Sequence, residues 1–389
     1  MRILVVGSGM YVTGRKGTGN GTILASLIQL AKQQKLSEMV IVSKSATSAL
    51  HVEEATANIS ARLGYKANVR FVAIPDELSD LALLVQAESF DAAVVSVPDH
   101  LHYAYVNFCI SAKIPTLVVK PLTPTYEEAK SLINLSESAK VYGAVEFHKR
   151  WDESNLYAKR VIQEGKIGAL NYIQVDYSQK IKIPTEIFKG WSDQTNILQY
   201  LGIHYIDLIY FLTGFTPIRV SAYGTKKTLM AKGIDTYDSI HAFIEWQNPH
   251  DTKDKFISII NANWIDANSG AAMSDQKIKF IGTEGRLECD QKDRGIELVN
   301  EHGGVQLINP YFSEYLPGDD GHEILNGYGF KSIERFVLDV IDLQNNAVSF
   351  EHLIAHRPSF RSASISTLVS DFANQSLAQN AAWVDIKKK

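Results

Sequence analysis

Six short apolar runs punctuate the first third of the chain, at 2–6, 39–42, 69–73, 92–97, 115–119 and 141–147, with helical patterns between most of them. Runs this apolar read as strands covered on both faces. Repeated strand–helix units of this length form a parallel, doubly wound sheet, because right-handed crossovers require it. Such a sheet is a nucleotide-binding architecture in outline. Beyond about residue 150 the pattern changes. Alternating segments at 169–181, 218–223, 239–246, 256–264 and 277–281 predict a large, mostly antiparallel open sheet with one apolar and one polar face. Helices are predicted at 154–163, 199–212, 329–343 and 360–378. A chain of 389 residues exceeds one ordinary core. The expected division is 1–122, with a crossing segment to about 150, and 123–389, with the last helix packing back on the first domain.

Composition removes several classes of function. Apolar residues make up 45% and charged residues 21% of the chain, as in a folded protein, and a net charge of −4 provides no overall basic field for nucleic acid or an anionic membrane. The first strand meets a glycine turn too soon to be a signal peptide, and no later run is long enough to span a bilayer, so a cytoplasmic protein is expected. Cys109 and Cys289 are far apart and lack metal-ligand spacing. They are expected to be quiet core thiols, and no metal site is expected.

Ligands of parallel sheets bind beyond the carboxyl ends of the strands. Lys120 ends the fifth apolar run there and is followed by Pro121, so it is either part of a site or a lysine leaving the core for solvent. The first strand ends in Gly7-Ser8-Gly9-Met10, and its two glycines allow a sharp turn and close approach of backbone to a pyrophosphate. Val12 stands where a third glycine is usual. An inserted loop follows, in which Arg15 or Lys16 either reaches a phosphate or is solvated. The second strand ends in Ser43-Lys44 without an acid to hold the adenine ribose. That favours NADP over NAD, the alternative being an ordinary solvated turn.

Further along come Val97-Pro98-Asp99-His100-Leu101-His102, Lys120-Pro121, Glu146-Phe147-His148-Lys149-Arg150-Trp151, Leu201-Gly202-Ile203-His204-Tyr205-Ile206-Asp207 and Ile281-Gly282-Thr283-Glu284-Gly285. In this order the set resembles the glucose–fructose oxidoreductase, inositol dehydrogenase and MocA family of pyridine-nucleotide enzymes. The resemblance covers nearly the whole chain. It implies an N-terminal Rossmann domain, a C-terminal α+β domain whose open sheet forms a dimer or tetramer, and an active site between the two. It also implies hydride exchange between NADP or NAD and a ring hydroxyl or ketone of a sugar, nucleotide-sugar or cyclitol. An NAD-dependent glycosidase of the same fold and a non-catalytic sugar-sensing regulator are the alternatives.

The resemblance assigns Lys120 to the reacting oxygen and nicotinamide ribose, and His204 to the catalytic region. Oxidising a carbinol requires its hydroxyl proton to leave, which gives an imidazole a role as acceptor and an ammonium a role in stabilising the developing alkoxide. The family's acid before the lysine is Val119 here, and the acid four residues before the histidine is Tyr200. Tyr200 is therefore either a substituted acid/base group or a sign of altered activity. Asp207 either orients His204 or lies on the helix surface. Gly7, Gly9, Met10, Ser43, Lys44, Val97, Pro98, His102, Lys120 and Pro121 are the expected cofactor residues, although a capping role suits His102 as well. His148, Arg150, Trp151, Trp191 and Asp207 are expected at the substrate. For Arg150 and Trp151 the alternative is an inter-domain salt bridge and packing.

Overall fold

The structure, a computed structural model, describes residues 1–14 and 21–386. Arg15 and Lys16 lie outside the described residues. By contacts the chain divides into two compact units. One comprises 1–123, 127–151 and 311–364, and the other 124–126, 152–310 and 365–389.

The first unit is built on six strands: β1 (Arg2–Val6), β2 (Glu38–Ser43), β3 (Val69–Ala73), β4 (Ala92–Val95), β5 (Thr116–Val119) and β6 (Gly143–Glu146). Their spatial order, β3-β2-β1-β4-β5-β6, and all-parallel pairing are those of a dinucleotide-binding sheet. Ile3, Val5, Ile41, Val94 and Leu117 are buried in its core, as their near-continuous apolar runs anticipate. The helix Ile23–Lys32 supplies Leu24, Leu27 and Ile28 to the same core.

By contacts residues 311–364 also join this unit, whereas the sequence places 123–389 in the second domain, apart from a crossing segment to about 150 and a last helix packing back. The reason is packing. Phe330, Ile333, Phe336, Val337 and Val340 of the helix Tyr328–Gln344 enter the first core. Arg62 pairs with Glu323, Lys32 pairs with Asp320 at 2.7 Å, and the carbonyl of Pro358 accepts from the Val145 amide at 2.8 Å on the open edge of β6. The last helix, Phe360–Ala378, begins in this unit, but most of its length is counted with the second.

The second unit holds a seven-stranded sheet. Its strands are β7 (Leu170–Lys180), β8 (Thr216–Thr225), β9 (Ser239–Gln247), β10 (Lys255–Asp266), β11 (Ser274–Gly282) and β12 (Arg286–Asp290), with Val384–Asp385 added beside β8. All neighbours are antiparallel except β7 and β10. One face is dry. Ile240, Ala242, Ile244 and Trp246 of β9 pack with Ala158, Val161, Ile206, Ile209 and Leu368 from helices, while Phe243 on the other face is exposed. The helix Glu153–Gln163 is anchored at its start by the fully buried Asp152. That carboxylate accepts from the Ser154 amide at 3.1 Å, from both terminal nitrogens of Arg294 at 2.9 and 3.1 Å, and from Gln291 at 3.0 Å. Among the described residues no helix is long and apolar enough to cross a membrane.

Candidate active site

In the first unit the predicted residues gather beyond the carboxyl ends of the strands. β1 turns at Gly7, whose φ of +107° an L side chain rarely adopts and whose added Cβ would lie 2.1 Å from the Ser96 carbonyl oxygen. Glycine is thus required by the fold at position 7. At Gly9 the reason differs: φ is ordinary, and among the described residues an added Cβ would meet nothing within 4 Å. This open approach to the backbone is the feature a dinucleotide phosphate needs, so the turn fits the cofactor class. Met10 follows in the short helix Met10–Thr13, and Val12 is buried in the core. Ser43 ends β2, and the exposed Lys44 beyond it pairs with Glu77 at 2.8 Å, which holds its ammonium above the usual pKa.

Val97 and Pro98 lead from β4 into a single turn, Asp99–Leu101, and the helix His102–Ser111. His102 is fully buried. Its Nδ1 lies 2.7 Å from the Pro121 carbonyl oxygen and its Nε2 2.9 Å from that of Val97. The ring therefore lies between the two loops beyond β4 and β5. Burial lowers its pKa, against Asp99 and the two carbonyls, which favour the protonated form.

Lys120 stands at the end of β5, partly buried, on a cis peptide to Pro121. Desolvation pushes its pKa from 10.5 down to about 8, while Asp99 and Glu146 pull the other way. An amine so placed carries its proton at neutral pH and can release it within a working range.

β6 delivers Glu146 and then His148. The Glu146 carboxylate is buried and lies 3.0 Å from His148 Nδ1. Burial alone would raise its pKa, but the neighbouring His148, together with the nearby hydroxyls of Ser332 and Tyr11, reverses that and keeps the carboxyl below its ordinary value. The His148 ring stacks on Tyr328 and meets Phe312 edge-on, at centroid distances of 5.6 and 5.0 Å. Arg150 is buried, donates to Ser362 at 3.0 Å, and lies over Phe147. Trp151 is half-buried where this unit ends.

In the second unit, the predicted helix start at 199 resolves into a wide π-type turn, Leu198–Gly202, followed by the α-helix Ile203–Thr213. Tyr200 sits in the turn, and His204 and Asp207 lie in the first turns of the helix. Turns of this kind are frequent at functional sites because they re-aim side chains. His204 and Asp207 are both buried, so Asp207 is not a surface carboxylate; three residues apart, they share a helix face. Tyr200 packs into an aromatic group with Phe188 at 5.1 Å, Trp191 at 6.2 Å and Trp264 at 6.1 Å between centroids. Trp191, expected at the substrate, has the Phe188 ring against it at 4.7 Å between centroids.

Sequence reading passed over Glu146, Asp99 and Tyr11. The first had a visible signal, an acid closing the otherwise apolar Gly143-Ala144-Val145. The burial of the other two depends on long-range packing.

Residues 1–147 match the oxidoreductase family with an NAD-binding Rossmann fold, and residues 155–288 match the GFO/IDH/MocA C-terminal domain. The chain is 28% identical over 173 residues to scyllo-inositol 2-dehydrogenase (NADP(+)) IolW of Bacillus subtilis, covering 43% of this chain and 46% of that one. It is 24% identical over 261 residues to levoglucosan dehydrogenase of Pseudarthrobacter phenanthrenivorans, covering 63% and 67%. The first three curated relatives are matched over only 38 to 46% of their length. The scyllo-inositol dehydrogenase structure from Lactobacillus casei, with bound NAD(H) and scyllo-inositol, superposes with a TM-score of 0.68 at 17% identity over 99% of this chain and 98% of that one. At that identity the likeness is one of fold.

Proposed function

The chain belongs to the GFO/IDH/MocA oxidoreductase family, and from that premise we propose that it is an NAD(P)-dependent dehydrogenase acting on a ring hydroxyl or ketone of a sugar, nucleotide-sugar or cyclitol. One observation carries the reading: an amine at the end of β5, held near a pKa of about 8, beyond the same sheet whose first turn leaves its glycine backbone open. When bound, the nicotinamide cofactor supplies hydride exchange. The protein's part is to bind, orient and move a proton. Gly7, Gly9 and Met10 admit the pyrophosphate, and Val97, Pro98 and Pro121 border the nicotinamide end. Ser43 and Lys44 receive the adenine ribose. A cation without an acid at this strand end favours NADP, Lys44 exchanging Glu77 for a 2′-phosphate.

Lys120 stabilises the alkoxide that forms as the carbinol loses its proton, and His204 accepts that proton with Asp207 as orienter. Tyr200, Trp191 and Phe188 offer aromatic faces of the kind that stack on the apolar side of a sugar ring. His148 is the first unit's candidate for a contact with substrate. The reading also takes the protein to work in the cytoplasm as a homo-oligomer through the open sheet face, where Tyr223, Phe243 and Ile265 are exposed.

The test is Lys120→Ala. Turnover with the responsive substrate is expected to disappear while reduced cofactor still binds, and full turnover in that variant would refute the assignment.

A further inference from the structure

Glu146 has no role in the reaction as proposed, yet it is a carboxylate kept almost wholly from water at the mouth of the sheet. Its position is set by register: on β6 it is the partner of Val119 on β5, one residue before Lys120. A dry carboxylate is costly unless its surroundings favour the charge. Here they do. His148 Nδ1 lies 3.0 Å from one carboxylate oxygen, and the net effect of the surroundings favours the ionised form; the other oxygen, Oε1, is buried with no hydrogen-bond partner among the described residues.

Its field reaches the amine of Lys120, whose other anionic neighbour is the buried Asp99 from the loop after β4. The lysine thus has an acid from each strand flanking its own. Among the described residues, the charged and titratable groups that act on this cluster include Asp99, Lys120, His148, Tyr11 and, through Tyr11, Tyr328.

We propose that Glu146 is a positioning residue that holds the charge of Lys120 and the orientation of His148 together, so that one buried acid governs two proton carriers of the first unit. A ring whose Nδ1–H donates to a carboxylate is fixed in one tautomer and presents Nε2 as the acceptor. The proposal rests on the reading of Lys120 given above.

The rate of Lys120 acetylation as a function of pH, followed by peptide mass spectrometry on the whole protein, reports the amine directly and needs no substrate. In Glu146→Gln its midpoint is expected to fall by about half a pK unit or more, since an anion beside the ammonium is lost. In the double variant Glu146→Gln, Val119→Glu it is expected to recover toward wild type, because residue 119 occupies the facing register position. An unmoved midpoint in Glu146→Gln overturns the proposal. Should that variant not fold, the wild-type protein with 15N-labelled histidine decides: Nδ1–H at His148 is expected, and an Nε2–H tautomer overturns it. If Lys120→Ala is inactive but the midpoint does not move, this inference alone fails. A fully active Lys120→Ala ends the parent reading and leaves the midpoint result intact.

Discussion

Lys120→Met should inactivate the protein and stabilise it. Methionine keeps much of the lysine's apolar stem and removes the ammonium, the part that burial disfavours. A fall in pKa from 10.5 to about 8 corresponds to about 3 kcal/mol at 1.36 kcal/mol per pK unit. The side chain is only partly buried, and solvent reduces the effect, so the net gain at pH 7 should be about 1–2 kcal/mol.

The pH dependence follows from linkage. Below pH 8 both folded and unfolded chains carry the proton, and the folded state bears the full cost. Between pH 8 and about 10.5 the unfolded chain binds more protons than the folded one, so wild-type stability gains from this site as pH rises. The advantage of Lys120→Met should therefore be largest at pH 7 and shrink through pH 8 to 10. Urea unfolding of both proteins at pH 7, 8.5 and 10, read by signals from the first unit, measures it. A variant no more stable than wild type at pH 7, or a difference that does not vary with pH, would refute the reasoning.

The two glycines of the first turn should separate. Gly7→Ala forces a Cβ onto the Ser96 carbonyl at a strained φ and should cost about 2 kcal/mol or more in stability, by thermal or urea unfolding. Gly9→Ala should leave stability within about 1 kcal/mol while weakening NADPH binding, read by fluorescence titration; unchanged binding would remove Gly9 from the pyrophosphate. Asp152→Ala strips a buried partner from Arg294 and the cap from the helix Glu153–Gln163, and should destabilise by about 3–5 kcal/mol at pH 7. Burial raises the Asp152 pKa, but Arg294 and Ser154 outweigh it and the net shift is downward. The lost stability is thus fully present above about pH 4 and disappears as pH falls through the lower folded-state value, so unfolding curves of the two proteins should converge in acid.

How much of this was legible in sequence depended on the range of the interactions. The strands at 2–6, 69–73 and 239–247 and the helix Phe360–Ala378 were readable because period and apolarity are local. Lys120 was legible because a charge ended an apolar run. The return of 311–364 to the first unit was not, since it rests on contacts such as Glu323 with Arg62 and Pro358 with β6, far apart along the chain. The two carbonyls that face the His102 ring, of Val97 and Pro121, are likewise brought there by the fold and not by the motif around it. The π-type turn that sets Tyr200 was hidden inside an ordinary helical pattern. Glu146 was visible as a residue but not as a neighbour of Lys120, because strand register carries that relation.

The most direct test is fluorescence titration of the purified protein with NADPH and NADH, followed by a panel of sugars and cyclitols read at the reduced nicotinamide absorbance. Saturable binding, tighter for NADPH, and cofactor turnover with at least one ring polyol or ketone are expected. Absence of saturable binding of either dinucleotide would contradict the account at its root.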